Sequence, residues 1–303
     1  MTAQHICVTV HRPQFECGLA RYAVHADGCR PDDSWMRLAG MAHRGVHEFN
    51  AGFEWRRPDG PFRRITDEQV DSYCEQGFFV IPNAYDADEV DRMAAEIDPI
   101  QARINATLER RASGDRPGFT IASNLVLRSP VLRRFCATGV LPDVARDLLG
   151  PRVRLFWEQA VYKRPEHSQA FAWHQDNGKV FVEPQQYITC WVALTDATEE
   201  NGCLSVAPGL HRLGTLRHWQ SEQGWVCLDE DPADAVPVPL SAGDMAIFSS
   251  VTTHMTYPNR SDSTRKAYVV QYIPDGAVAV DRGDDGGTAI TPQDLDDRQF
   301  LVG

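Results

Sequence analysis

The chain has 303 residues, 43% of them hydrophobic, and a formal net charge of −12. That surplus of acid repels phosphates and anionic headgroups, which argues against a nucleic-acid or membrane-surface protein, and no apolar run approaches the roughly 20 residues that cross a bilayer. A soluble enzyme with a sizeable core is the expectation, at a length where β barrels with added helices often form one unit.

Residues 1–63 carry Cys7, His11, Cys17 and Cys29 at spacings that fit no compact zinc knuckle, so the segment reads as an accessory that packs on the rest. The start, Met1-Thr2-Ala3-Gln4-His5, lacks the basic stretch of a secretory signal, and the cytoplasm is the expected compartment. Eight cysteines form no regular framework, and Cys190 and Cys203 lie in apolar strand-like contexts, so the thiols are read as reduced. Thr66 with Gln69, and Asp86 with Glu89, are capping-box patterns that each open a helix; the second continues through Val90, Met93, Ala94 and Ile97, a core-facing stripe. Residues 187–194 alternate. Tyr187, Thr189, Trp191 and Ala193 share a face suited to lining a cavity, while Ile188, Cys190, Val192 and Leu194 suit a packed exterior. Asn201-Gly202 makes a turn. A long insertion with His211, His218, Trp219, Gly224 and Trp225 looks like a lid. From Asp275 the chain is acidic and Gly-rich and reads as a loose solvated end, unless Phe300-Leu301-Val302 docks it.

The chemistry concentrates in Trp173-His174-Gln175-Asp176, His254 and Arg265. On a strand, residues two apart share a face, so His174 and Asp176 can close on one ion while Gln175 points away. His254, just beyond the turn and apolar run of 243–248, can come from a neighbouring strand. Two imidazoles and one carboxylate suit non-haem Fe(II) activating dioxygen, although zinc hydrolases use the same ligand types. Arg265 opens an apolar run after the turn Pro258-Asn259-Arg260-Ser261-Asp262, and its guanidinium is the preferred bidentate partner of a carboxylate.

These motifs occur in a recognisable order. His174-Gln175-Asp176, Trp191, Asn201-Gly202-Cys203-Leu204, Pro208-Gly209, Gly243-Asp244, His254, Asn259, Ser261 and Arg265 together resemble the phytanoyl-CoA dioxygenase family of Fe(II)/2-oxoglutarate oxygenases. Upstream, 65–70 and 77–82 are similar to the usual start of that domain. The resemblance covers about residues 64–275, leaving 1–63 as an N-terminal extension and 276–303 as an acidic tail.

The resemblance implies a mainly β (α+β) double-stranded β-helix, a cupin-like jelly-roll with flanking α-helices. It also implies Fe(II) held by His174, Asp176 and His254, with 2-oxoglutarate anchored by Arg265 and helped by Thr256. Trp191 and Gln159 take positions that line the cosubstrate pocket in the family, and Lys163 matches a family lysine, which a solvated strand end explains equally well. The implied reaction uses dioxygen to hydroxylate an unactivated C–H bond, with release of succinate and carbon dioxide. Related halogenases lack the carboxylate that Asp176 supplies, so hydroxylation or another oxidation such as desaturation is expected. For substrate contacts the expectation falls on Asn124, Asn177, Lys179, Phe181, Tyr187 and Trp219, with Arg128 and Trp225 nearby in sequence. A small metabolite is the expected substrate. The alternatives are acyl-CoA 2-hydroxylation by the same chemistry, or a metal-binding jelly-roll that is not an oxygenase.

Overall fold

A computed structural model describes residues 44–111, 118–165, 169–222, 224–283, 286–295 and 297–302. The four N-terminal cysteine and histidine positions lie outside the described residues. The first capping box forms as read: the Thr66 hydroxyl accepts from Gln69 N–H, the Gln69 side chain accepts from Thr66 N–H, and helix α1 (Asp67–Gln76) follows. After β1 (Phe78–Ile81), the side chains of Asp86 and Glu89 exchange the same pair of bonds at the head of α2 (Ala87–Arg111). Helices α3 (Pro130–Ala137) and α4 (Val140–Leu149) follow β2 (Phe119–Ser123).

The remainder is β. In chain order come β3 (Val153–Lys163), β4 (Phe171–His174), β5 (Phe181–Glu183), β6 (Ile188–Ala193), β7 (Leu204–Ala207), β8 (Trp219–Ser221) and β9 (Gly224–Val226). Then follow β10 (Val236–Val238), β11 (Met245–Ser249), β12 (Thr253–Thr256), β13 (Arg265–Pro274), β14 (Val278–Arg282) and β15 (Thr288–Pro292). A six-stranded sheet in the order β1-β11-β6-β13-β3-β2 faces a four-stranded sheet β10-β7-β12-β4, with every pairing antiparallel. This is the jelly-roll.

The alternation in 187–194 explains how the larger sheet is used. Ile188, Cys190, Val192 and Leu194 pack with Tyr268, Val270 and Tyr272 of β13 against Met93, Ile97, Leu141 and Val144 of the helices. From the opposite face, Trp191, Ala267 and Val269 meet Leu204, Val206 and Phe248 between the sheets. That inner layer ends short of one mouth of the sandwich, where the site lies.

Two peripheral segments are tied down. The tail is not a loose end: β14 pairs with β15 and β5, Phe300 and Val302 are buried, and the Phe300 carbonyl and Val302 amide bond Leu155 N–H and Val153 C=O at 3.1 Å each. The reason is an unpaired edge, since β2 covers β3 only over 159–163 and leaves the backbone groups of 153–155 without a strand partner on that side. Residues 44–56 strap the insertion instead, with His47 N–H on Thr215 O at 2.8 Å and the Asn50 amide on Leu213 O and Thr215 O. At Gly214 a Cβ would stand 2.6 Å from the Phe53 ring, so only glycine lets the strap lie this close. Among the described residues no helix is long and apolar enough to cross a membrane.

Candidate active site

Strands β4 and β12 pair with His174 directly opposite His254, which brings the two rings to 4.2 Å between centroids. Asp176 follows in a short 3-10 turn, and one of its oxygens lies 3.9 Å from His174 Nε2 and 3.8 Å from His254 Nε2. Two atoms bound about 2.1 Å from one ion can be at most about 4.2 Å apart, so this oxygen is placed to share an ion with either ring. The three donor atoms all fall within 4.8 Å of one another.

The tautomers suit a metal as well. His174 Nδ1 bonds Ala172 O at 2.8 Å and His254 Nδ1 bonds Thr252 O at 2.9 Å, so each Nδ1 carries the proton and each Nε2 offers its lone pair. Burial, then the neighbouring His254, holds the His174 imidazole well below its ordinary pKa, hence neutral as a ligand must be. Asp176 is held from behind: its second oxygen accepts from Thr189 Oγ1 at 2.5 Å, and that hydroxyl accepts from Gln271 Nε2 at 3.2 Å.

The turn that carries the ligands is clamped by the insertion. Gln175, fully buried, donates to Gly214 O and Val251 O and accepts from Leu216 N–H, while its own N–H donates to His218 Nε2 at 2.9 Å. A Cβ on Gly178 would stand 2.0 Å from the His218 ring, which leaves no room for another residue there. Trp225 donates from Nε1 to Gly178 O at 2.9 Å and lies nearly parallel to the His218 ring.

These groups open on a cavity of about 490 Å³. At one end Arg265 is 1% exposed, yet none of its three guanidinium nitrogens has a partner among the described residues. Burial pulls its pKa down to about 10. The Trp191 ring centroid lies 5.0 Å from its Cζ, and Gln159, which accepts from Trp157 Nε1, lines the same cavity. A buried cation with open donors fits a carboxylate that arrives with a ligand. Lys163 lies at this end too. It is not at a solvated strand end: Nζ donates to Thr256 O, Thr256 Oγ1 and Tyr257 O at 3.0, 2.7 and 2.5 Å. Burial, then Arg265, pushes its pKa down to about 6, against the preference of those oxygens for a charged ammonium. The loop seals over it because Gly202, at φ 81°, has Tyr257 O only 2.2 Å from where a Cβ would be.

The expected substrate contacts divide. Lys179 and Tyr187 line the cavity, as do Thr256, Trp191 and Gln159. Asn177 does not, since the 3-10 turn swings it inward, where it donates to Thr215 Oγ1 and accepts from Val182 N–H. Phe181 packs on His47 and Phe49 outside the cavity. Asn124 caps a short turn with φ 56°, and Arg128 borders a separate cleft on α2. Trp219 lies under Arg44, 3.9 Å from its ring centroid, and Trp225, across the β8–β9 hairpin, takes the cavity position. Sequence reasoning missed Phe119, Phe156, Trp157, Phe171 and Gln271. Trp157 was within reach, because it shares strand parity with Gln159. Phe156 was not, because a bulge opposite Gln271/Tyr272 turns both Phe156 and Trp157 toward the cavity.

The family model for phytanoyl-CoA dioxygenase matches residues 73–267 of this chain. The chain belongs to the phytanoyl-CoA dioxygenase family. As a member it is an Fe(II)- and 2-oxoglutarate-dependent dioxygenase that oxidises a C–H bond of a small molecule and releases succinate and carbon dioxide. It is 30% identical to the methylphosphonate hydroxylase of Gimesia maris over 217 residues, covering 69% of this chain and 80% of that one. It is 22% identical to the phytanoyl-CoA dioxygenase of Arabidopsis thaliana over 251 residues, 69% of this chain and 89% of that one. Among solved structures, the epimerase SnoN in complex with Fe3+, alpha ketoglutarate and nogalamycin RO is similar in fold, with a TM-score of 0.62 at 23% identity, covering 78% of this chain and 98% of that one.

Proposed function

We propose that His174, Asp176 and His254 hold Fe(II), and that Arg265 anchors the far carboxylate of 2-oxoglutarate during oxidation of a small metabolite. The observation that carries this reading is the pairing of a His/Asp/His donor set with a buried guanidinium that has no hydrogen-bond partner among the described residues, in one cavity. When bound, iron and 2-oxoglutarate supply the reduction of dioxygen and an oxidant strong enough to take a hydrogen atom from an unactivated C–H bond. The protein's part is binding and orientation. Arg265 neutralises and aligns the cosubstrate, Trp191 and Gln159 bound its pocket, and Thr189 fixes which oxygen of Asp176 faces the ion. Lys163 holds the Thr256 hydroxyl, so the expected help from Thr256 reaches the cosubstrate as part of a Lys163–Thr256 pair.

Arg265 favours this reading over a metal-dependent hydrolase, which has no use for an internal carboxylate anchor. An acyl-CoA is less suited than a small metabolite, because among the described residues Lys179 is the one exposed cation of the cavity against several phosphates, and Arg44, in the strap over the insertion, is already paired with Asp229. In the same proposal the protein works in the cytoplasm, where both cofactors are supplied and buried thiols such as Cys136 and Cys190 stay reduced. The test is anaerobic titration of the Fe(II)-loaded protein with 2-oxoglutarate. A weak visible charge-transfer band that disappears in His174→Ala supports the reading, and bound Fe(II) without a band refutes it.

A further inference from the structure

The cavity is larger and more aromatic than a small phosphonate needs, and its charges can be assigned one by one. Among the described residues, the Asp, Lys and Arg side chains that line it are Lys163, Asp176, Lys179 and Arg265. Asp176 faces the two imidazoles, Lys163 is held by Thr256 and Tyr257, and Arg265 awaits the cosubstrate. That leaves Lys179. Among the described residues its ammonium has no hydrogen bond or ion pair, and it lines the same cavity as His174.

Beside it is a fixed aromatic surface. Trp225 is 43% exposed and lines the cavity, but its ring cannot swing freely: the indole N–H is bonded to Gly178 O, the residue before Lys179, and the ring lies 17° from parallel to His218, 6.3 Å away. Aromatic groups continue inward. Phe171 packs against His174 at 4.7 Å and Phe119 against Phe171 at 5.4 Å, while Phe156 meets Tyr187 at 5.4 Å. A preformed ring-lined wall with one unpaired cation at its rim is complementary to an apolar ring body that ends in an anion.

We propose that the primary substrate is an anion with a rigid apolar ring system, its ring lying on Trp225 and its carboxylate or phosphate paired with Lys179. This rests on the oxygenase reading above and narrows it. A one-carbon phosphonate offers the anion without the ring, and an acyl-CoA brings more phosphates than one lysine can answer.

The experiment is isothermal titration of the protein loaded anaerobically with Fe(II) and 2-oxoglutarate, using 2-naphthoate, 2-naphthyl phosphate, neutral 2-naphthamide and methylphosphonate. The visible band is recorded first. At least one naphthyl anion binds about tenfold more tightly than the amide or methylphosphonate, and the preferred anion tells carboxylate from phosphate. Lys179→Met, at an exposed position, removes the preference for anion over amide, and Trp225→Ala weakens all three naphthyl probes together. If the band forms but neither naphthyl anion binds more tightly than methylphosphonate, or Lys179→Met leaves the preference intact, this inference fails and the oxygenase reading stands. If the band does not form, the oxygenase reading itself fails.

Discussion

Replacing Arg265 with Met is expected to weaken cosubstrate binding and to stabilise the ligand-free protein at the same time. Arg265 is buried with Nε, Nη1 and Nη2 all lacking partners among the described residues, and burial lowers its pKa from 12.5 to about 10. Each unit is worth about 1.4 kcal/mol, so keeping the charge costs the free protein about 3 kcal/mol. The sign follows from the direction of the shift. A cation whose folded pKa lies below its unfolded value is disfavoured by folding at every pH below about 10, so the cost is fully present at neutrality. Methionine removes the charge and keeps most of the length. The ligand-free protein should therefore melt on the order of 5 °C higher. Two charge-assisted hydrogen bonds to the cosubstrate, at about 1.5–3 kcal/mol each, make the loss of 2-oxoglutarate affinity about 10²- to 10⁴-fold. Thermal unfolding with and without 2-oxoglutarate reads both effects. A variant that melts lower without ligand, or that still gains wild-type protection from 2-oxoglutarate, would refute the reasoning.

Three further outcomes are expected. Glu158, 2% exposed, has its carboxyl pushed up to about 7, chiefly by burial, against the opposing bonds from Val126 N–H and Tyr268 OH. Its folded pKa lies above the unfolded value, so stability is greatest below about pH 4.5 and falls as pH rises through 7; Glu158→Gln should gain about 3 kcal/mol over wild type by pH 8, and parallel stability curves from pH 5 to 8 would contradict this. His218→Leu leaves Gln175 N–H buried without an acceptor and removes the ring behind Trp225; Fe(II) affinity should drop about tenfold or more, and unchanged metal titration in a folded variant would argue against the clamp. Thr189→Val breaks the 2.5 Å bond to Asp176 and should also weaken Fe(II) about tenfold, with 2-oxoglutarate affinity for the metal-loaded protein nearly unchanged; equal losses for both ligands would assign Thr189 a different role.

What was readable from sequence depended on short-range periodicity. The two capping boxes and the alternation through Tyr187, Thr189 and Trp191 are set by neighbours a few residues apart, and the structure keeps them; Asp176 also comes within 3.9 Å of His174 Nε2, although from a 3-10 turn beyond the end of β4 and not from the strand. The outward parity of Gln175 held too, although it points into the insertion and not to solvent. His254 and Arg265 were legible from residue type and their turn and strand contexts, and the order of the family motifs agrees with them.

The tertiary structure decided the rest, because each remaining feature depends on a partner distant in sequence. Lys163 is buried only because the loop through Gly202 and Tyr257 closes over the end of its strand. Phe156 joins Trp157 at the cavity through a bulge in β3 opposite Gln271 and Tyr272 of β13, which no period-2 count on β3 can reveal. Asn177 and Phe181, expected at the site because they follow the first ligands in sequence, are drawn away from it: the 3-10 turn after Gln175 buries Asn177 against Thr215 and Val182, and Phe181 packs on His47 and Phe49. The tail docks because β2 is too short to cover the edge of β3. Local sequence sets which face a side chain takes on its own element; which element meets that face is set by pairing and burial across the whole chain.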